Sequence, residues 1–178
     1  FTKLLDAGGD PDKGNLLHDA TVEGKHEFLS TLLTRGADKD AVNMNEKTPL
    51  IFALTNSRFG NEVTPAARTL LAAGARVDIR DADRMSALDY AAALGDADFL
   101  QDIIDRGLDV NEIGFEGKSA LHHAVESGEV CVIDKLVKAG ANIDLGNEVG
   151  ATPLFVAIDG HVQIDAMLAL LRHGANVA

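Results

Sequence analysis

Apolar and polar positions along this chain recur in a fixed order. A pair of Leu, Ile or Val residues is followed, after two intervening residues, by glycine. The pattern reads LLDAGG (4–9), LLTRGA (32–37), LLAAGA (70–75), IIDRGL (103–108), LVKAGA (136–141) and LLRHGA (170–175). Its glycines, Gly8, Gly36, Gly74, Gly107, Gly140 and Gly174, are spaced by 28, 38, 33, 33 and 34 residues. A second pattern follows most of them: NLLHDA (15–20), TPLIFA (48–53), SALDYA (86–91), SALHHA (119–124) and TPLFVA (152–157). A regular period of this length is the signature of a repeat architecture, in which each unit is one small supersecondary element.

Each position has a physical reading. Asn15, Thr48, Ser86, Ser119 and Thr152 carry a side-chain oxygen that can cap a helix start. Pro49 and Pro153 then stand at the first helical position, where a missing N–H costs nothing. Leu, and Ala three residues later, share one helix face, and the small Ala lets a neighbour approach. A break such as Glu23-Gly24, Leu94-Gly95 or Ser127-Gly128 leads into a second helix that ends in the apolar pair. The glycine after that pair suits a left-handed C-cap. A polar extended stretch such as ADKDAVNMNEK (37–47) leads to the next cap.

These motifs resemble the ankyrin repeat family. GADKD, GARVD, GLDVN, GANID and GANV match the second half of that family's pattern, and LLHDA, TPLIFA, SALHHA and TPLFVA match the first. The resemblance covers essentially the whole chain. It implies an all-α solenoid of stacked helix-turn-helix units joined by β-hairpin-like loops, forming a single domain over 1–178. Residues 1–9 read as the remnant of a preceding repeat, and the five repeats run at about 10–42, 43–80, 81–113, 114–146 and 147–178. Tetratricopeptide repeats need aromatic packing positions that this sequence lacks, and HEAT and armadillo units run longer.

The resemblance also implies a binding role, with hairpin tips and first helices lining a concave face. The tip positions are Met44, Asn45 and Lys47; Ala82, Asp83 and Met85; Phe115, Glu116 and Lys118; and Glu148, Val149 and Ala151. The first helices end with Val22 and Glu23, Thr55 and Asn56, Ala93 and Leu94, Glu126 and Ser127, and Asp159. Apolar residues at solvated tips are candidate anchors, and Phe115, Met85, Met44 and Leu94 stand out. Within the second repeat, five extra residues lengthen the loop between its helices (TNSRFGNEVT, 55–64), and Thr64-Pro65 opens the next helix. That loop presents Arg58 and Phe59 beside Gly60, either as a functional loop or as a tolerated insertion.

Charge narrows the partner. With 16 Lys and Arg against 28 Asp and Glu, the net charge is −12. A nucleic-acid binder shows a basic face, and an anionic membrane would repel this chain, so neither is expected as a partner. Acidity fits a basic partner, but it is also a common route to solubility. A lone cysteine, Cys131, precludes an intrachain disulfide. No apolar run is long enough for a membrane helix.

The chemistry-bearing residues are sparse. His122 and His123 are adjacent, so on a helix they diverge and do not readily share a metal. The resemblance makes His18 and His122 structural, bonding neighbouring backbone. His26, His161 and His173 lie elsewhere, and no metal-ligand spacing or cofactor motif is present. Cys131 reads as a buried or half-buried apolar residue. Gly114–Gly117 and Gly146–Gly150 read as turns and match no P-loop.

The expected function is therefore a non-enzymatic protein-protein interaction module, with no cofactor. The alternatives are an accessory region of a larger enzyme or secreted effector, or an acidic inhibitor or immunity-type protein. A cytoplasmic monomer is expected, with a secreted or periplasmic location left open.

Overall fold

A computed structural model describes residues 15–22, 26–56, 63–159 and 163–177. The chain packs as two compact units, Phe1–Arg76 and Val77–Ala178. In the first lie α1 (Leu16–Val22), α2 (His26–Thr34), α3 (Pro49–Thr55) and α4 (Pro65–Ala72). In the second lie α5 (Ala87–Leu94), α6 (Ala97–Ile104), α7 (Ala120–Ser127), α8 (Val130–Lys138), α9 (Pro153–Asp159) and α10 (Ile164–Arg172), with a 3-10 turn at Phe115–Gly117.

Both units have the same grain. Within each unit the first helix of a repeat packs on the next first helix, α1 on α3 in the one, and α5 on α7 on α9 in the other. The second helices pack on one another likewise, α2 on α4 in the first unit, and α6 on α8 on α10 in the second. Helices this short gain most of their stability from such packing. The Leu and Ala of the capping motif are what pack: Leu17, Leu50, Leu88, Leu121 and Leu154 are all buried, as are Ala20, Ala53, Ala91, Ala124 and Ala157. The second row supplies bulk through Leu29, Leu32 and Leu70 in one unit, and through Phe99, Ile103, Ile133, Leu136 and Leu170 in the other.

Caps set where each helix begins. Thr48 accepts the Ile51 N–H at 3.2 Å, with Pro49 behind it, and Thr64 accepts the Ala67 N–H at 3.2 Å. Ser86 and Asp89 form a reciprocal capping box, and Thr152 accepts the Phe155 N–H at 3.3 Å. Asn15 differs from the extended caps Thr48 and Ser86, because its backbone is left-handed (φ 59). Asn is one of the few residues that tolerates that region. The glycines after the apolar pairs end the second helices as expected, with left-handed φ at Gly36, Gly74, Gly107, Gly140 and Gly174. Beyond four of them the next N–H reaches back to close the motif, as Ala141 does to the Leu136 carbonyl at 3.0 Å.

The expected hairpin-like loops are single closed turns. Asn43, Asp81, Gly114 and Asn147 each donate their N–H to the carbonyl four residues on. The fourth residue of each turn, Glu46, Arg84, Gly117 or Gly150, is left-handed. Among the described residues the sole bridge of β type joins Ile113 and Ser119. At three tips the first residue braces the turn with its side chain. Asn43 Oδ1 accepts from Asn45 and Lys47, Asp81 Oδ1 from Asp83 and Met85, and Asn147 Oδ1 from Val149 and Ala151. Gly114 has no side chain to do this, and that tip tightens into the 3-10 turn instead.

Met85 and Cys131 stand elsewhere than expected. Met85 does not stand at a solvated tip; it is buried, 8% exposed. Both its backbone groups close the turn onto Asp81, which directs the side chain inward, where its sulfur sits against Gly114. Cys131 is exposed rather than buried, because α8 turns Val132, Ile133 and Leu136 to the core and leaves position 131 outside that stripe.

Candidate functional site

Histidines tie successive repeats together. His18 donates from Nε2 to the Lys47 carbonyl at 2.8 Å and meets the Phe52 ring edge-on. His122 does the equivalent to the Ala151 carbonyl at 3.0 Å, while its Nδ1 accepts the Ser119 N–H at 3.2 Å. Both nitrogens of His122 are thus used in the neutral form. Burial holds the pKa of both imidazoles below the usual histidine value, against the pull of those backbone bonds. A lowered folded-state pKa means that the unfolded chain takes up protons first as pH falls. The stability these residues bring is full above about pH 6.5, the unperturbed histidine value, and is lost as pH drops toward their folded-state pKa. We therefore expect the thermal midpoint to fall between about pH 7 and pH 5.5, and the fall to shrink in His122→Gln; an undiminished fall in that variant would contradict this role.

Asp89 occupies the same place in its repeat as His122. Burial raises its pKa, opposed by the Ser86 N–H and hydroxyl, both at 2.8 Å from Oδ2. It caps its own helix start instead of reaching the next tip.

In the second unit the tips and first helices of two successive repeats enclose a cleft of about 510 Å³. Its walls are Glu116, Lys118, Val125 and Glu126 on one side, and Asn147, Val149, Ala151, Phe155, Val156, Asp159 and Gln163 on the other. Val149 is 80% exposed and Phe155 57%. Lys118 lies between Glu116 (2.9 Å) and Glu126 (2.8 Å). Burial works against its charge, but the two carboxylates outweigh that and raise its pKa. Glu126 is held down to about 2, first by His123, whose Nδ1 is 3.4 Å away, and then by Lys118. Gln163 crosses the end of α7 and donates to the Glu126 carbonyl.

The two tips beside this cleft are fixed by close backbone contact. Glu148 donates its N–H to the Glu116 carbonyl at 3.1 Å. Gly117, left-handed at φ 68, lies so near that a Cβ there would come 2.6 Å from the Glu148 nitrogen. Gly117→Ala is expected to cost about 1–3 kcal/mol from backbone strain, more once the contact is forced open. Urea unfolding checks this, and an unchanged midpoint would show that the tips do not constrain each other.

The residues expected from sequence are distributed as follows. Glu116, Lys118 and Glu126 line the cleft. Phe115 (49% exposed) and Glu148 belong to its two tips but are not part of its lining. Asp83 is exposed on its own turn, and Leu94 is half-buried at the end of α5. In the first unit Met44 is 95% exposed beside exposed Asn45, and Lys47 is half-buried with its carbonyl on His18. Arg58, Phe59 and Glu23 lie outside the described residues. Sequence reasoning did not select Phe155, Val156, Asn147 or Gln163. One signal was there: Phe155 holds the register position that histidine fills at 18 and 122, so its apolar side chain has no carbonyl to seek. Among the described residues no group of three His, Cys, Asp or Glu side chains is arranged to hold a metal, and no helix is long and apolar enough to cross a membrane.

Comparison with known proteins gives a consistent picture. A family model for ankyrin repeats in three copies matches residues 17–113 and again 88–178. The chain is 32% identical over 168 residues to the ankyrin repeat domain-containing protein M-T5 of Myxoma virus (strain Lausanne), covering 89% of this chain and 34% of that protein. It is 35% identical over 145 residues to the ankyrin repeat domain-containing protein SAT10 of Stachybotrys chartarum, covering 81% of this chain and 7% of that protein. It is 33% identical over 148 residues to the human neurogenic locus notch homolog protein 1, covering 79% of this chain and 5% of that one. The chain thus spans about a third of one relative and under a tenth of the other two.

Proposed function

The chain belongs to the ankyrin repeat family, and from that premise we propose that it is a protein-binding module that seats a partner protein in the cleft of its Val77–Ala178 unit. Ankyrin repeats generally serve as protein-interaction modules. The observation that carries the reading is the pair Val149 and Phe155, both more than half exposed in a cleft framed by buried, capped helices. Exposed apolar groups clustered in a recess are the usual mark of a contact site. Phe115 on the adjoining tip, and Met44 in the first unit, are further candidate contacts. A non-catalytic cytoplasmic monomer is part of the same proposal.

A second reading has its own support. The chain spans a minor part of each relative described above, so these repeats can serve as the partner-selecting region of a larger protein whose activity lies elsewhere. The two readings share the cleft.

A photo-crosslinking phenylalanine analogue placed at position 149, and separately at exposed position 131 on α8, tests it. The proposal expects a covalent partner protein from 149 and none from 131. Crosslinking from 131 alone, or from neither position, would reject the cleft.

A further inference from the structure

This inference rests on the protein-binding reading of the cleft and specifies the chemistry of what fills it. We propose that the cleft takes a segment of a partner protein in which a lysine or arginine stands next to a bulky apolar side chain. The apolar requirement comes from Val149 and Phe155, which are both more than half exposed among the described residues. The cationic requirement comes from the charges around them. The lining carries three carboxylates, Glu116, Glu126 and Asp159, against one ammonium, Lys118. Lys118 is already shared between Glu116 and Glu126, so it offers little attraction to an incoming anion. Asp159 has no ion pair among the described residues and stands at the C-terminal end of α9, where the helix dipole adds negative potential. Glu126 stays ionised through the whole physiological range, so the excess of negative charge persists there. An acidic or phosphorylated segment would meet like charge at every wall, while a cationic one is drawn in and held in register. The openness of the cleft, with Val149 almost fully in water, suits a side chain projecting from a macromolecule better than an enclosed small ligand.

Fluorescence anisotropy with three labelled peptides of equal length, alternating Leu/Arg, Leu/Glu and Ser/Arg, tests the proposal on the whole chain. We expect Leu/Arg to bind about tenfold or more tighter than the other two, and to weaken several-fold between about 50 and 300 mM salt as screening grows. Glu126→Gln with Asp159→Asn should weaken Leu/Arg about tenfold. Asp102→Asn with Asp165→Asn, an equal charge change outside the cleft, should leave it unaltered. Equal binding of Leu/Glu and Leu/Arg, equal losses in the two double variants, or absence of binding by all three peptides would overturn the proposal. Val149→Ser with Phe155→Ser separates the two levels. If Leu/Glu binds and that variant releases it, the cleft reading stands and the cationic preference falls. If the variant releases no bound peptide, the cleft reading itself falls.

Discussion

Phe99→Ala is expected to destabilise the Val77–Ala178 unit by about 3–5 kcal/mol, the range for deleting a fully buried aromatic ring. Phe99 is the largest wholly buried side chain of the described residues and lies in the first turn of α6, behind the Asp96 cap that accepts its N–H at 2.9 Å. It sits in the row of second helices where α6 meets α8, a row that also buries Leu100, Ile103, Ile133 and Leu136. Repeat contacts are between neighbours, so a cavity there removes packing from two adjoining repeats at once and no distant part of the unit can make it good. Urea unfolding followed by circular dichroism measures the loss. A cost below about 1 kcal/mol would mean that the site collapses freely and that α6 is not held by its neighbour as described.

The second large effect is expected at a polar residue. Asp81 is 3% exposed, although it lies at the start of a tip. Its Oδ1 accepts the N–H groups of Asp83 (3.1 Å) and Met85 (3.0 Å), and its Oδ2 accepts the Tyr90 hydroxyl at 2.6 Å. The Tyr90 phenol is pushed well up by burial and then by that bond, so it remains a donor. Asp81→Ala removes the acceptor of three donors, of which the Met85 N–H is buried and the Tyr90 hydroxyl half-buried, and is expected to cost about 2–4 kcal/mol. Asp81→Asn keeps one carbonyl oxygen for the backbone donors, the arrangement that Asn43 and Asn147 use at their own tips, and should cost about half as much. Equal costs for the two variants would show that the turn does not depend on the side-chain oxygen.

The frame was readable because each local signal acts within a few residues. A Thr or Ser cap, a Leu and Ala three apart, and a glycine after an apolar pair each have one sterically natural outcome. They recur in phase, and the helices begin and end where those residues stand. The cleft was not readable to the same degree, because its residues come together only through the spacing of successive repeats. Val149 was placed at a tip by its position, but its facing Lys118, Val125 and Glu126 across the cleft depends on how closely α7 and α9 stack. Met85 misled for a local reason. The fifth residue of its tip turn is tied to Asp81 through both backbone groups, and its apolar side chain is drawn in against Gly114 rather than displayed. Cys131 misled because its neighbours Val130 and Val132 make the stretch look uniformly apolar, while the helix period buries only Val132 of the three.

The cleft, on this reading, selects a partner protein. The most direct measurement is a quantitative affinity capture with the wild-type chain, with Val149→Asp combined with Phe155→Asp, and with Cys131→Ser as an outer-face control, all verified to share one far-ultraviolet dichroism spectrum. Proteins retained by the wild type and by Cys131→Ser are expected to be lost from the cleft variant. Retention of the same proteins, in the same amounts, by the cleft variant would contradict that reading.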